Sequence, residues 1–383
     1  MAAMSVALDD IAVIDNHCHA VEADQHTDVA AWRGRFTESP DPRMRAHDVT
    51  ETAFYRRLMR AMATRYELPN AEETVLAARN RHSTADLVGG LFREAGIGGV
   101  VIDTGFPTPE RAMPAETFTA VSGARYRALL RLEVMFEDLL TRLSGYDELI
   151  DAVDTSLADV RALGYAGLKC IAGYRTGLAI DRWSEQEART AHAAARAELV
   201  STETVRLGHK PLLDTLLHRA FRAASAQRLP VQFHVGYGDP DADLRAAAPL
   251  ELRSVLEEPA YQGMSVVLLH GCWPYFREGA YLAAVYPHVY LDLSYAIPFL
   301  SVAELTSMTR AALGTAPFTK LMYSSDGARV PELHWLGARD GRRAIAAVLD
   351  ELVGHGDLDA AEARAAGARI LRDNAEALYE FRP

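Results

Sequence analysis

Short apolar runs alternate with longer amphipathic or alanine-rich stretches along most of this chain. Stretches such as Asp147–Leu163, Glu185–Ala224 and Val302–Leu313 have helical composition. Strands that alternate with helices imply parallel βαβ units, and eight such units predict a (β/α)8 TIM barrel. A doubly wound open sheet is the alternative. The predicted strands are Ala12–His19, Gly99–Gly105, Ala128–Val134, Ala166–Ala172, Pro230–Gly236, Ser265–Gly271, Val289–Ser294 and Lys320–Asp326.

The repeat is interrupted between the first two predicted strands, from about residue 24 to residue 95. A polar, proline-containing loop, Thr37–Pro42, is followed there by Phe54–Tyr66 and Ala71–Arg81, which have helical composition. We interpret residues 24–95 as a helical insertion on the first βα loop of a single hydrolase barrel that covers residues 1–383. It is either a lid over the active face or a stabilising appendage. The stretch Asp357–Phe381 is expected to form helices that pack outside the barrel.

The composition and charge of the chain argue against nucleic-acid and membrane partners. Of the 383 residues, 49% are hydrophobic and 24% are charged, which is typical of a soluble globular protein. The net charge of −12 is not offset by a basic run, which argues against a nucleic-acid partner. We see no apolar run of bilayer length, no signal-peptide pattern and only three cysteines. These features predict a cytoplasmic protein that acts on a small molecule without a membrane partner, and they allow a homo-oligomer.

Residue types that bind metals stand at the ends of five predicted strands. His17 and His19 end the first strand, and because side chains alternate along a strand, both point to the same face. In a barrel the carboxyl ends of all strands meet at one mouth. Imidazoles and carboxylates bind divalent transition metals such as zinc, although each residue alone also has a structural explanation. The other candidates are Lys169, His234, His270 and Asp326.

In the identity and spacing of these residues, the chain resembles the amidohydrolase superfamily of metal-dependent hydrolases (amidohydrolase family 2). It is most similar to the branch whose domain stands alone or is fused to glutamine-synthetase-like ligases. The segments that carry the resemblance are IDNHCHA (14–20), LKCIAGYRTGL (168–178), FHVGYGD (233–239), HGCWPYFREGAYLA (270–283), VYLDLSYAIP (289–298) and YSSDGARVPELHW (323–335). The resemblance implies that His17, His19, His234 and Asp326 coordinate metal. It also implies that His270 completes a second metal site or binds substrate.

Lys169 has three interpretations. The resemblance implies a carbamylated lysine that bridges two metal ions, most simply zinc. An unmodified Lys169 would repel a cation, so a salt bridge with a substrate carboxylate is the second interpretation. A structural pair with a protein carboxylate is the third. One or two ions per chain are therefore expected.

The resemblance implies hydrolysis of a C–N (amide) bond by metal-activated water, with Asp326 as general base and His270 as a second catalytic residue. Arginines in the loops suggest a small substrate that carries a carboxylate. The ligase-associated branch suggests a γ-glutamyl-type amide. On the third strand, Arg131 and Glu133 support the site or pair within the barrel core. The candidate substrate-binding residues are Tyr174, Arg175, Tyr237, Trp273 and Arg329.

Other functions are compatible with the same frame. A metal-dependent decarboxylase of a carboxylated aromatic ring is the first alternative, and an isomerase of sugar acids is more remote. A non-catalytic binding module is the last, although the full set of ligand-type residues argues against it.

Overall fold

The strands form one continuous parallel sheet in chain order. The computed structural model describes residues 6–381, and within them there are eight strands: β1 (Val13–His19), β2 (Ile97–Asp103), β3 (Arg125–Arg131), β4 (Tyr165–Cys170), β5 (Pro230–Phe233), β6 (Ser265–Leu268), β7 (Val289–Ser294) and β8 (Leu321–Ser324). Backbone hydrogen bonds from Asp326 N to His17 O (3.0 Å) and from His19 N to Gly327 O (2.8 Å) join β1 to the segment after β8. The sheet therefore curls into a (β/α)8 barrel, and the predicted fold is confirmed.

Helices connect the strands and cover the outside of the barrel. Several begin at side-chain caps; for example, Ser184 caps the helix that starts at Glu185. The helices are α1 (Val29–Arg33), α2 (Ala53–Arg65), α3 (Glu72–Arg79), α4 (Thr84–Ala95), α5 (Ala115–Ser122), α6 (Leu132–Arg142), α7 (Tyr146–Leu157), α8 (Glu185–Thr202), α9 (Lys210–Gln227), α10 (Arg253–Leu256), α11 (Phe276–Val285), α12 (Val302–Leu313), α13 (Pro331–His355), α14 (Ala360–Ala368) and α15 (Asn374–Leu378). None that lies within residues 6–381 has the length and apolar character needed to cross a membrane.

Six of the eight strands end earlier than the apolar pattern predicts, and for three of them the early end moves a candidate site residue out of the strand. β5, β6 and β8 end before His234, His270 and Asp326, so these residues lie in the segments that follow the strands. His270 and Asp326 have left-handed backbone conformations, with φ of 62° and 55°, which an extended strand does not allow. The predicted strand Val289–Ser294 matches β7 at both ends.

The third predicted strand, Ala128–Val134, is shifted. β3 ends at Arg131, and the apolar residues after it belong to α6, where Leu132, Phe136 and Leu139 are buried at helical spacing. Glu133 therefore lies on a helix, so the expectation that it shares a strand with Arg131 is wrong. A short, mostly apolar stretch such as residues 128–134 fits either a strand or the first turn of a buried helix, which explains the error.

Residues 24–95 contain the helices α1 to α4. The last of these helices, α4, packs between α5 and α13 in the outer ring of the barrel. The preceding part is fixed to α13 by a buried ion pair in which Arg79 Nε lies 2.8 Å from Glu332 Oε1. The guanidinium of Arg79 also covers the ring of Trp32, 5.1 Å from its centre.

The end of the described chain closes the amino end of the barrel. α14 packs on α13 outside the barrel, as predicted, but Ala375, Tyr379 and Phe381 pack against inward-facing side chains of β1, β2, β3, β6 and β8. Gln232 Nε2 donates a hydrogen bond of 2.7 Å to the Tyr379 hydroxyl. The prediction that all of Asp357–Phe381 lies outside the barrel is therefore wrong. The inward-facing apolar residues at this end need a cover, and the sequence pattern cannot show which segment provides it.

Candidate active site and metal centre

Three of the predicted metal ligands lie together at the carboxyl end of the barrel. Asp326 Oδ1 lies 3.3 Å from His17 Nε2 and 3.6 Å from His19 Nε2. One donor atom from each residue lies within 4.8 Å of the other two, which is a spacing that one metal ion can span. The two histidines reach this position because the register of β1 shifts between Asp15 and Cys18.

His234 and His270 extend this group. His270 Nδ1 lies 3.4 Å from Asp326 Oδ2, and His270 Nε2 lies 3.0 Å from His234 Nδ1. His234 Nε2 lies 2.6 Å from the carbonyl oxygen of Tyr237 and donates to it, because a carbonyl can only accept. His234 Nδ1 is then left with its lone pair. The structure thus joins His234 to the other ligands through His270.

The chemistry of this donor set fits a divalent cation. Both ring nitrogens of His17 and the Nδ1 of His19 are buried without a hydrogen-bond partner among the described residues. Burial, together with the positive charge of Lys169, lowers the pKa of His17 to about 4. Burial also places the pKa values of His234 and His270 well below the usual range. His17, His234 and His270 are therefore neutral at pH 7, and a neutral imidazole is the form that binds a metal.

Lys169 points into the same space from β4. The residue is 1% exposed, and none of the described residues forms an ion pair or hydrogen bond with its amine. The nearby carboxylate of Asp103 instead pairs with the guanidinium of Arg131, with Nε 3.0 Å from Oδ1. Burial lowers the pKa of Lys169 to about 8. The lysine therefore lacks the salt bridge that a structural role requires.

A cavity of about 290 Å³ opens onto the candidate ligands. His19, Lys169, His234 and Asp326 line it, together with three of the predicted substrate-binding residues. Those three are Tyr174, Arg175 and Tyr237. The remaining lining residues are Glu38, Phe106, Arg131, Ile171, Arg206, Asp239 and Ala328.

The structure separates the other two predicted substrate-binding residues from this cavity. Trp273 donates from Nε1 to Glu304 Oε1 at 3.2 Å and does not line the cavity. Arg329 lines an adjoining cavity of about 510 Å³ that also reaches Asp326. Its guanidinium lies over the ring of Phe106, 4.7 Å from the centre.

Two acidic residues that line the cavity, Glu38 and Asp239, were not among the site residues predicted from the sequence. Glu38 lies in the polar loop of the insertion, and Asp239 ends the segment FHVGYGD. Burial and the negative charges of Asp326 and Asp239 raise the pKa of Glu38 to about 7. The position of Asp239 five residues after His234 was the available signal. Nothing in the loop sequence distinguishes Glu38 from a solvated carboxylate.

Buried carboxylates hold the left-handed backbones at His270 and Asp326. Asp15 accepts hydrogen bonds from the backbone N of Ser325 (2.8 Å) and from its hydroxyl (2.5 Å), directly before Asp326. Asp292 accepts from the backbone N of His270 at 2.9 Å. Unfavourable backbone conformations persist where the surrounding contacts enforce them, and they concentrate at functional sites.

Comparison with known proteins decides the family. The family model described as "Amidohydrolase" matches residues 149–381, which is more than half of the chain. The chain belongs to the amidohydrolase family. This amidohydrolase is 36% identical to protein fluG of Emericella nidulans over 238 residues, which cover 60% of the chain and 27% of fluG. It therefore spans about a quarter of the length of that curated relative.

Solved structures share the fold over nearly the whole chain. A proposed metal-dependent hydrolase from Lactobacillus casei ATCC 334 is 28% identical, with a TM-score of 0.87 and coverage of 97% of this chain and 96% of that one. A uronate isomerase from Thermotoga maritima has a TM-score of 0.68, 13% identity and coverage of 97% and 95%. At that identity, the isomerase shows the shared fold alone. Amidohydrolases are metal-dependent, and the group of His17, His19 and Asp326 is this chain's candidate for the metal.

Proposed function

We propose that this amidohydrolase is a metal-dependent hydrolase that cleaves a C–N (amide) bond in a small carboxylate-bearing substrate. The observation that carries the proposal is the convergence of His17, His19 and Asp326: buried nitrogens of both histidines lack hydrogen-bond partners, and His19 and Asp326 line the cavity. His234 and His270 stand beside this group. These five residues would hold one or two divalent ions, with zinc favoured by the nitrogen-rich donor set.

The two oxygens of Asp326 have different surroundings, which suits a ligand that also moves a proton. Oδ1 faces His17 and His19, whereas Oδ2 accepts the hydroxyl hydrogen bond of Tyr237 and faces His270. A cation bound here would polarise the substrate carbonyl and lower the pKa of water. Asp326 Oδ2 is then placed to accept the proton of the attacking water and to return it to the departing nitrogen.

Lys169 is the residue that would set the number of ions. A lysine with a pKa of about 8 has a substantial neutral fraction near pH 7.5, and the neutral amine is the form that reacts with carbon dioxide. Carbamylation would convert an unpaired buried cation into a carboxylate among neutral imidazoles, and this favours a pair of ions. An unmodified Lys169 would instead face the carboxylate of the substrate.

The substrate is proposed to be an amide of the γ-glutamyl type, which rests on the resemblance to the ligase-associated branch. Tyr174, Arg175 and Tyr237 line the space beside the ligands. Arg175 Nε pairs with Glu137 Oε1 at 3.2 Å, which fixes the guanidinium and leaves its other N–H groups for a carboxylate.

Metal content tests the proposal. The protein is prepared without chelator in bicarbonate buffer, and metal per chain is measured by elemental mass spectrometry, followed by an ammonia-release assay on small amides. We expect about two equivalents of a divalent transition metal in the wild type and a clear loss in His17→Ala. The control His26→Ala alters an exposed histidine of the insertion and should retain full occupancy.

The other outcomes are equally informative. About one equivalent, with carbon dioxide rather than ammonia as the product, would replace the hydrolase with a decarboxylase. No metal, even after zinc is added back, would refute the ligand assignment.

A further inference from the structure

The positive side chains that line the cavity are mostly already neutralised by the protein. Each arginine there faces a protein carboxylate, so none is an unpaired cation. The pairs are Arg131 with Asp103, Arg175 with Glu137 and Arg206 with Asp241. Arg329, in the adjoining cavity, lies 3.8 Å from Glu22. The positive charge of each arginine is therefore partly compensated by the protein before a ligand binds.

Two negative side chains at the same cavity, Glu38 and Asp239, lack such close pairs. Within residues 6–381, neither Glu38 nor Asp239 forms an ion pair with a lysine, arginine or histidine. One oxygen of Asp239 accepts the backbone N of Asp241 at 3.1 Å, which leaves the other oxygen free. Glu38 approaches from the insertion, and Asp239 approaches from the segment after β5. The two carboxylates thus reach one space from different parts of the fold.

The buried amine of Lys169 is a second, independent feature that indicates a ligand in this cavity. Lys169 is almost completely buried, lines the cavity and has no partner among the described residues. An unmodified, charged Lys169 would be costly without a partner, so either carbamylation or a substrate carboxylate must supply the missing contacts. The cavity thus has an unpartnered amine at its floor and, on the side of the insertion, carboxylates without a close cationic partner.

We propose that Glu38 and Asp239 form an ammonium subsite, and that the ligand is an amino-acid-derived amide with a free amine as well as a carboxylate. The proposal rests on the proposed function for the identity of the bond that is cleaved. The binding of the amine does not depend on that cleavage. It also gives the insertion a role in recognition, because Glu38 is its contribution to the cavity.

The elevated pKa of Glu38 agrees with this assignment. Burial is the main cause of the rise, the negative charges of Asp326 and Asp239 add to it, and the positive charge of Arg329 opposes it. A cationic amine placed among these carboxylates would relieve their repulsion. A ligand with only negative groups would increase it.

A pair of ligands that differ only in the amine tests the proposal by isothermal titration calorimetry. L-glutamine and glutaramate have the same length, amide and carboxylate, but glutaramate lacks the α-amine. The quantity of interest is the ratio of their Kd values in each variant, since an α-amino acid also chelates metal ions by itself. The metal-loaded wild type is compared with Glu38→Gln and Asp239→Asn. Glu73→Gln removes an exposed charge elsewhere on the insertion and serves as the control.

We expect the wild type and Glu73→Gln to bind L-glutamine about 10-fold more tightly than glutaramate, which corresponds to about 1.4 kcal/mol. The ratio should fall toward one in Glu38→Gln and Asp239→Asn. A ratio near one in the wild type, an unchanged ratio in both variants, or binding of neither ligand would overturn the proposal. An amine preference that depends on Glu38, without ammonia release from L-glutamine, would leave the subsite intact and count against the proposed hydrolysis.

Discussion

Replacing Asp15 with asparagine should weaken metal binding although Asp15 does not line the cavity. Its carboxylate is completely buried and receives two hydrogen bonds from Ser325, the residue directly before Asp326. The Ser325 hydroxyl also accepts the backbone N of Gly327 at 2.8 Å, directly after Asp326. Asp15 therefore fixes both sides of a residue whose backbone has a left-handed conformation.

The magnitude follows from these contacts. A hydrogen bond to a charged acceptor contributes about 1.5–3 kcal/mol, and asparagine preserves the shape and one of the two acceptors. We expect Asp15→Asn to lower the free energy of unfolding by about 2 kcal/mol. Residues that orient metal ligands typically change affinity by about 10- to 100-fold when they are altered, and we expect a loss of zinc affinity in that range.

Urea unfolding and competition with a chromophoric zinc chelator measure the two effects separately. The control is Asp159→Asn, the same substitution at an exposed carboxylate that also accepts a backbone N–H, that of Ala162 at 3.0 Å. It should change neither quantity appreciably. A destabilised Asp15→Asn with unchanged zinc affinity would refute the positioning role, and a variant with unchanged stability would refute the network itself.

Three further predictions concern the mouth and the base of the barrel. Asp326→Asn should retain most of the metal, as measured by elemental mass spectrometry, and lose about 10²- to 10⁴-fold in kcat because it cannot accept the proton; full activity would contradict its role as base. Phe381→Ala should lower the free energy of urea unfolding by about 3–5 kcal/mol, because the ring packs at the amino end of the barrel, and a loss below about 1 kcal/mol would contradict this closure. In metal-free protein without bicarbonate, the pKa of Lys169 is about 8 in the folded state and is higher in the unfolded chain. Above pH 8 the unfolded chain therefore binds more protons than the folded protein, and the free energy of unfolding in urea should rise from about pH 8 to about pH 10. Lys169→Met should lack that rise, and an identical pH profile in both proteins would show that the amine is not buried in its uncharged form.

The strand frame was predictable because buried parallel strands are short apolar runs between helical stretches. The same runs place His17 and His19 at one strand end, and the structure brings them together with Asp326. The limits of the strands were less predictable. The strands end before His234, His270 and Asp326, and at His270 and Asp326 the backbone has left the extended conformation.

Contacts between distant segments account for what the sequence could not reveal. Glu38 belongs to a loop whose polar residues look solvated, and its place in the cavity depends on how the insertion docks on α13 through Arg79 and Glu332. Arg175 suggested a free carboxylate receptor, and only the structure shows its partner, Glu137. Charge pairing across the fold is invisible in a linear pattern, although it decides which groups remain available to a ligand.

The closure of the barrel by Tyr379 and Phe381 has a consequence for how the protein is made. These residues lie against Ile14 and Val101, which are synthesised more than 250 residues earlier. Arg125, whose guanidinium contacts Phe381 O at 3.1 Å, is separated from it by 256 residues. During synthesis, the apolar base of the barrel stays open until Tyr379 and Phe381, which follow all eight strands, have left the ribosome. We therefore expect a late folding step, and an incomplete chain whose exposed base is prone to aggregation.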